Sequence, residues 1–201
     1  QTQVFDRVLS TTSPKLMLKL TEGLAQTDYG KKAAELKSIG GLCVVFALKH
    51  QLLKDGTYWL NLPATTTDKS KSQFPFLALV EHTNYIAREH YGGDHIVYCG
   101  DYVAPDHEYF QMSEEELLER FLRALKQVNP DFDRDWVRKW WVWRAPYAQP
   151  VPELYHSQNI PSLKTPINGV YWASMSQVYP WDRGTNYAVE LGRKVANEAM
   201  E

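Results

Sequence analysis

A chain of 201 residues with 44% hydrophobic and 23% charged content is globular in composition, and long enough for one large or two small domains with a substantial core. Its formal net charge of -2 and pI near 6.3 carry no electrostatic footprint for nucleic acid, so no nucleic acid is expected as partner. No apolar run approaches the ~20 residues of a membrane span, and the N-terminus lacks a charged region followed by an apolar one, which makes the cytoplasm the default location.

Residues 5–11 read as a short strand. Ser13 can cap and Pro14 can occupy a first helical turn, which predicts a helix over 14–23. A second helix is predicted over 28–39, with Ala33, Leu36 and Ile39 facing inward and Gly40-Gly41 as its stop. Four strands follow at 42–49, 57–62, 77–85 and 95–102, whose β-branched and aromatic content and turn-rich separators suit an antiparallel sheet. Lys54-Asp55-Gly56 reads as a hairpin turn, and 64–73, rich in Thr, Ser and Lys, as the most mobile loop. Cys43 and Cys99 each sit in an apolar strand-like run, and two buried free thiols are expected.

Ser113-Glu114-Glu115-Glu116 has the form of a capping box, opening a helix whose Leu117, Leu118, Phe121, Leu122, Leu125 and Val128 share one side. A strand over 136–144 gathers Trp140, Trp141 and Trp143, and the proline-rich stretch 147–166 reads as an extended crossing segment. A last strand, 169–174, feeds the loop Tyr179-Pro180-Trp181-Asp182-Arg183-Gly184-Thr185-Asn186 and then a helix. Ala188, Leu191, Gly192, Val195, Ala196 and Ala199 recur at the spacing of one helical stripe, with Glu190 and Lys194 spaced for an outer ion pair. Thr185 or Asn186 is the expected cap. The order of elements is an α+β pattern: a mainly antiparallel or mixed sheet with flanking helices, bracketed by two pieces that look like parts of something else.

Few constellations carry chemistry. Glu81, His82, His90, Asp94, His95, Asp101, Asp106 and His107 are ligand types without a metal-binding spacing, so no metal is expected. No GxSxG elbow occurs, and Gly40-Gly41 and Gly92-Gly93 fit neither GxGxxG nor GxxxxGK[ST]. Seven Trp and twelve Tyr point to a large cavity, a broad interface, a flat ligand or a large mixed core. Polar Glu81-His82-Thr83-Asn84 interrupts an apolar strand and is the best internal site candidate.

The segment Gly169-Val170-Tyr171-Trp172-Ala173-Ser174, followed by Tyr179 to Gly192, resembles the C-terminal flavin-contacting segment of the FAD-dependent amine oxidase superfamily. That group includes protoporphyrinogen-oxidase-like and phytoene-desaturase-like enzymes, with UDP-galactopyranose mutase as a relative. The resemblance covers the whole chain. It implies that 1–13 holds the strand leaving an FAD domain, 14–166 a substrate-binding domain, and 167–201 the strand, loop and helix that return to FAD. The superfamily's GxGxxG fold would lie N-terminal to this sequence, so the chain is expected to be a C-terminal portion whose partner is the missing FAD-binding half.

The resemblance assigns cofactor contacts to Trp181, Asp182, Arg183, Gly184, Thr185, Asn186, Tyr187 and Ala188, with the backbone of Asn186, Tyr187 and Ala188 against the flavin pyrimidine edge. Ser174-Met175 stands where many members have Gly-Glu or Gly-Asp for the ribityl chain, and Asp182 is the candidate replacement. Candidate substrate contacts are Trp59, Asn61, Glu81, His82, Asn84 and Tyr85 on neighbouring predicted strands, with Arg144 and Gln149 flanking the Trp strand.

The expected function is therefore the substrate-binding and FAD-contacting portion of a flavin-dependent oxidoreductase acting on a small molecule, inactive in isolation. The alternatives are a flavin-dependent sugar-nucleotide mutase and a non-enzymatic aromatic-rich binding module. Catalytic residues are not identifiable. The stripe on the last helix and Trp181 are expected to lack partners, or to be covered by another copy in a homo-oligomer.

Overall fold

Leu42, Val44, Phe46 and Leu48 alternate with side chains turned the other way, the period-two pattern of a strand with one buried face. They form β2 (Ser38–Leu48) in a computed structural model that describes residues 2–66, 68–69 and 71–201. The chain divides into two compact units, Ile39–Ala148 and Gln1–Ser38 with Gln149–Glu201.

The first unit is built on a five-stranded sheet of β3 (Trp59–Asn61), β4 (Ala78–Glu81), β5 (His95–Val103), β2 and β6 (Val137–Pro150), in that spatial order. The pairings of β3 with β4, β4 with β5 and β5 with β2 are antiparallel. The antiparallel expectation holds. Leu79, Val97, Cys99 and Val103 join the β2 residues on one face and pack with Leu117, Phe121 and Leu125 of α3 (Glu114–Val128). That helix starts as its sequence predicts: Ser113 Oγ accepts from the Glu116 amide at 3.2 Å and Glu116 Oε2 accepts from the Ser113 amide at 2.9 Å. Buried Tyr109 donates its hydroxyl to Pro75 O at 2.6 Å, and burial pushes its pKa up to about 12.

Several expectations need correction here. Gly40-Gly41 is not a helix stop but lies inside β2. A Cβ on Gly40 would come within 2.6 Å of the Phe110 ring, and one on Gly41 within 3.0 Å of Ala148 Cβ, so close packing explains both glycines. Lys54-Asp55-Gly56 does turn, with Gly56 at φ +79, but β2 and β3 are not neighbours and no hairpin results. The strand predicted over 77–85 ends at Glu81, where His82–Asn84 coils into a 3₁₀ turn. In the loop 64–73, Thr67 and Ser70 lie outside the described residues, and Lys69 pairs with Asp101 at 2.5 Å. Cys43 and Cys99 are free thiols, as expected, but only Cys99 is buried; Cys43 lies on the other face of the sheet and is half-buried.

The second unit joins the start and end of the sequence. β1 (Val8–Ser10) pairs in parallel with β7 (Val170–Trp172), Leu9 opposite Tyr171. Helices α1 (Pro14–Leu20) and α2 (Asp28–Glu35) bury Met17 and Ala33 against Trp172, whose indole donates to Thr12 O at 2.9 Å. Thr27 caps α2 by accepting from the Gly30 amide at 3.0 Å, and Leu36 ends it by turning extended. Both helices and residues 149–166 of the proline-rich segment group with the terminal pieces. That segment is also less extended than predicted, containing the single helical turn α4 (His156–Asn159).

The terminal helix, α5 (Thr185–Met200), buries only Val195 fully, with Leu191 and Ala199 packed beside it. Ala188, Gly192 and Ala196 of the stripe are exposed, and Glu190 does not pair with Lys194. No described helix is long and apolar enough to cross a membrane.

Candidate functional site

On the face of the sheet opposite α3, Trp59, Tyr102, Trp141 and Trp143 are exposed, and side chains shape an apolar trough. In register across the strands stand Asn61 opposite Ala78, Ala78 opposite Gly100, and Gly100 opposite Cys43. Two residues along the same strands are Trp59, Val80 and Tyr98 on one side of this row and Tyr102 on the other. Small side chains flanked by large ones leave a hollow. The cavity measures about 480 Å³, with Trp143 and Ala145 of β6 also on its lining. A second, of about 350 Å³, shares Cys43, Trp59, Ala78 and Gly100 with it and extends to His82 and Tyr58.

The polar groups of this region are mostly committed. Trp59 Nε1 donates to Asn61 Oδ1 at 2.8 Å. Arg144 donates from Nε to Tyr109 O at 3.0 Å and from a terminal nitrogen to Met112 O at 2.8 Å. The buried carboxylate of Asp101 is held by Lys69. Burial pushes the Cys43 thiol up to about 11, so it is a neutral, protonated group at physiological pH. His82 Nε2 and the Tyr91 hydroxyl share a 2.8 Å hydrogen bond.

Of the residues read as substrate contacts, Trp59, Asn61 and Arg144 line the larger hollow and His82 the smaller one. Glu81, first of the four polar residues read as the best internal site candidate, is fully buried on the other face. Its Oε1 accepts from the Leu52 amide at 3.0 Å, and its Oε2 from the Leu53 amide at 2.5 Å and from Asn84 Nδ2 at 3.3 Å. Burial raises its pKa, opposed by those hydrogen bonds. Asn84 further donates to Thr57 O at 2.9 Å. Glu81 and Asn84 thus hold the 51–57 loop in shape and do not face the trough. Tyr85 is 75% exposed, its ring tilted at 50° against Tyr58, and Gln149 belongs to the other unit. Tyr102, Trp143, Cys43, Ala78 and Gly100 are not among the contacts read from the sequence, because only strand register brings them to one face.

In the other unit, the loop before α5 holds the residues read as cofactor contacts. Trp181 and Tyr187 stack with centroids 6.0 Å apart and planes at 3°. Asp182 Oδ1 accepts from the Arg183 amide at 2.7 Å, and Ser174 is occupied in capping the 3₁₀ turn after β7. Gly184, not Thr185 or Asn186, is the cap, and no side chain bonds the helix start. The correction matters for the amides: Ala188 donates to Gly184 O at 3.0 Å, so its N–H is committed within the helix. Those of Thr185, Asn186 and Tyr187 have no acceptor among the described residues. They fit an electronegative ligand atom, as does the positive end of the helix dipole. Among the described residues no three His, Cys, Asp or Glu side chains gather as a metal site.

Residues 1–200 match the family described as flavin containing amine oxidoreductase. No curated protein matches the chain. Among solved structures, a candidate protoporphyrinogen oxidase from Exiguobacterium sp. 255-15 is 13% identical with a TM-score of 0.71, over 97% of this chain and 41% of that one. A reduced UDP-galactopyranose mutase is 17% identical with a TM-score of 0.57, over 78% and 32%. An oxidoreductase from Methanosarcina mazei is 19% identical with a TM-score of 0.56, over 86% and 38%. The chain thus spans about two fifths or less of the solved structures it resembles.

Proposed function

The chain belongs to the flavin containing amine oxidoreductases, and from that premise we propose that it supplies the substrate-binding portion and one wall of the flavin site of a flavin-dependent oxidoreductase. The observation that carries the reading is the start of α5, where the amides of Thr185, Asn186 and Tyr187 await an acceptor beside exposed Trp181 and Asp182. A bound flavin would accept hydride from a C–H or C–N centre of the substrate. These residues hold its electronegative pyrimidine edge, and the helix dipole favours negative charge there. The trough on the sheet orients the substrate against aromatic walls and excludes water from its apolar floor.

The remainder of the flavin site is assigned to a dinucleotide-binding half outside this chain. The absence of GxGxxG from this sequence and the greater length of the solved relatives support that division. The exposed Ala188, Gly192 and Ala196 are then surface for that half. Net oxidation is favoured over a sugar-nucleotide rearrangement because the trough lining offers no free cation among the described residues: the Arg144 side chain turns away to Tyr109 O and Met112 O, and buried Asp101 to Lys69.

Titration with FAD tests the reading. The 201-residue chain alone is expected to form no stoichiometric yellow complex, and the chain co-expressed with a dinucleotide-binding half is expected to copurify with one flavin. A tight complex in the first case, or a colourless assembly in the second, overturns it.

A further inference from the structure

The trough contains a glycine that the fold does not explain. Gly40 and Gly41 are required by the neighbours packed on them, but a Cβ on Gly100 would meet only Leu42 O, at the ordinary distance of 3.7 Å. Nor is its φ in the left-handed region, so no turn demands it. Glycine inside a strand is unfavourable, and where neither packing nor conformation asks for it the remaining reason is close approach of something to the backbone. Gly100 sits mid-strand at the centre of the small-residue row, in register with Ala78 on one side and Cys43 on the other.

The row gives the approaching group its shape. Neighbouring strands lie ~4.8 Å apart, so a floor running across β3, β4, β5 and β2 is about 14 Å long. Its borders are aromatic: Trp59 and Tyr98 along one side, Tyr102 along the other. A long, shallow, aromatic-walled floor suits ring systems lying flat. Its chemistry is equally selective. The Arg144 guanidinium and Asp101 carboxylate are bonded to Tyr109 O, Met112 O and Lys69, which leaves the lining uncharged polar groups: the Asn61 amide, the Cys43 thiol and the wall hydroxyls of Tyr98 and Tyr102. Desolvating a diphosphate there would be offset by no cation.

We propose that Gly100 sets the depth of this trough, and that the trough selects a flat, uncharged, ring-bearing substrate over an anionic sugar nucleotide. This specificity rests on the flavoprotein reading for its catalytic meaning, but its test needs no flavin. The 201-residue chain is titrated with the neutral aromatic probe N-phenyl-1-naphthylamine, and in parallel with UDP-galactose. Two signals are followed: probe fluorescence, and alkylation of Cys43 by N-ethylmaleimide, Cys99 being fully buried on the core face. The naphthylamine is expected to bind saturably and slow Cys43 alkylation about tenfold, and UDP-galactose to do neither.

Gly100→Leu, which fills the floor without backbone strain, is expected to weaken probe binding about tenfold while leaving the circular dichroism spectrum unchanged. Cys43→Leu fills the same row from β2 and repeats the test by fluorescence should Gly100→Leu misfold. Undiminished probe binding in a folded filled variant, or protection by UDP-galactose but not by the naphthylamine, overturns the proposal. Failure of the FAD experiment with success of this one removes the flavin chemistry and keeps the binding site; the reverse removes only the trough assignment.

Discussion

The sheet unit and the unit made of the two chain ends bury their apolar residues very differently. Among the described residues the first gathers 20 buried side chains in one cluster, while the second has two clusters of four each. The second also leaves Val4, Phe5, Val8 and Leu9 at least 42% exposed, and half of the α5 stripe is exposed as well. The sheet unit closes its own core. The other is arranged by short pairings and leaves apolar surface exposed, the surface that the proposed dinucleotide-binding half would cover.

That contrast can be broken most forcefully from the closed side. Phe121→Ala empties the centre of the large cluster and is expected to destabilise the sheet unit by about 3–5 kcal/mol in chemical denaturation. A loss well below this range would mean that the cluster is loosely packed.

Glu81 sharpens the picture next. Replacing it by Ala leaves the Leu52 and Leu53 amides without their acceptor, at about 1–3 kcal/mol. Its pH signature has a definite sign. Burial raises the folded-state pKa above the ordinary 4.5, so its contribution to stability is greatest below that value and declines as pH rises through the raised one. Glu81→Gln is expected to remove that part of the decline in denaturation midpoints measured from pH 4 to 8.

The smallest effects are expected on the open side. Val195→Ala loses two buried methyl groups and about 1.5 kcal/mol, read by hydrogen exchange along α5. Ala196→Glu, one residue on, is expected to change stability by less than about 0.5 kcal/mol. A large loss from Ala196→Glu would show that the stripe is already in use.

Much of the fold was legible where local chemistry decides it. The Ser113 capping box, the α3 face and the alternation in β2 and β5 each depend on residues a few positions apart. What was hidden depends on distant partners. Gly40-Gly41 looks like a helix stop until Phe110 and Ala148 arrive against it, and Glu81 looks like a site until Leu52 and Leu53 donate to it. The candidate site was half visible: Trp59, Asn61 and Arg144 could be named from strand pattern, but the trough floor exists only once register aligns Ala78, Gly100 and Cys43. At the helix start, the missing side-chain cap reflects Gly184 taking the cap position, so the polar Thr185 and Asn186 lie one and two residues too late to serve.

The parallel pairing of β1 with β7 also has a consequence for synthesis. Val8 must wait for Val170, and at about 5–20 residues per second the ribosome delivers that partner roughly 8–30 s later. During that interval a long apolar strand would be a template for aggregation. Three residues, preceded by Asp6 and Arg7, form a short and charge-flanked strand that survives the wait.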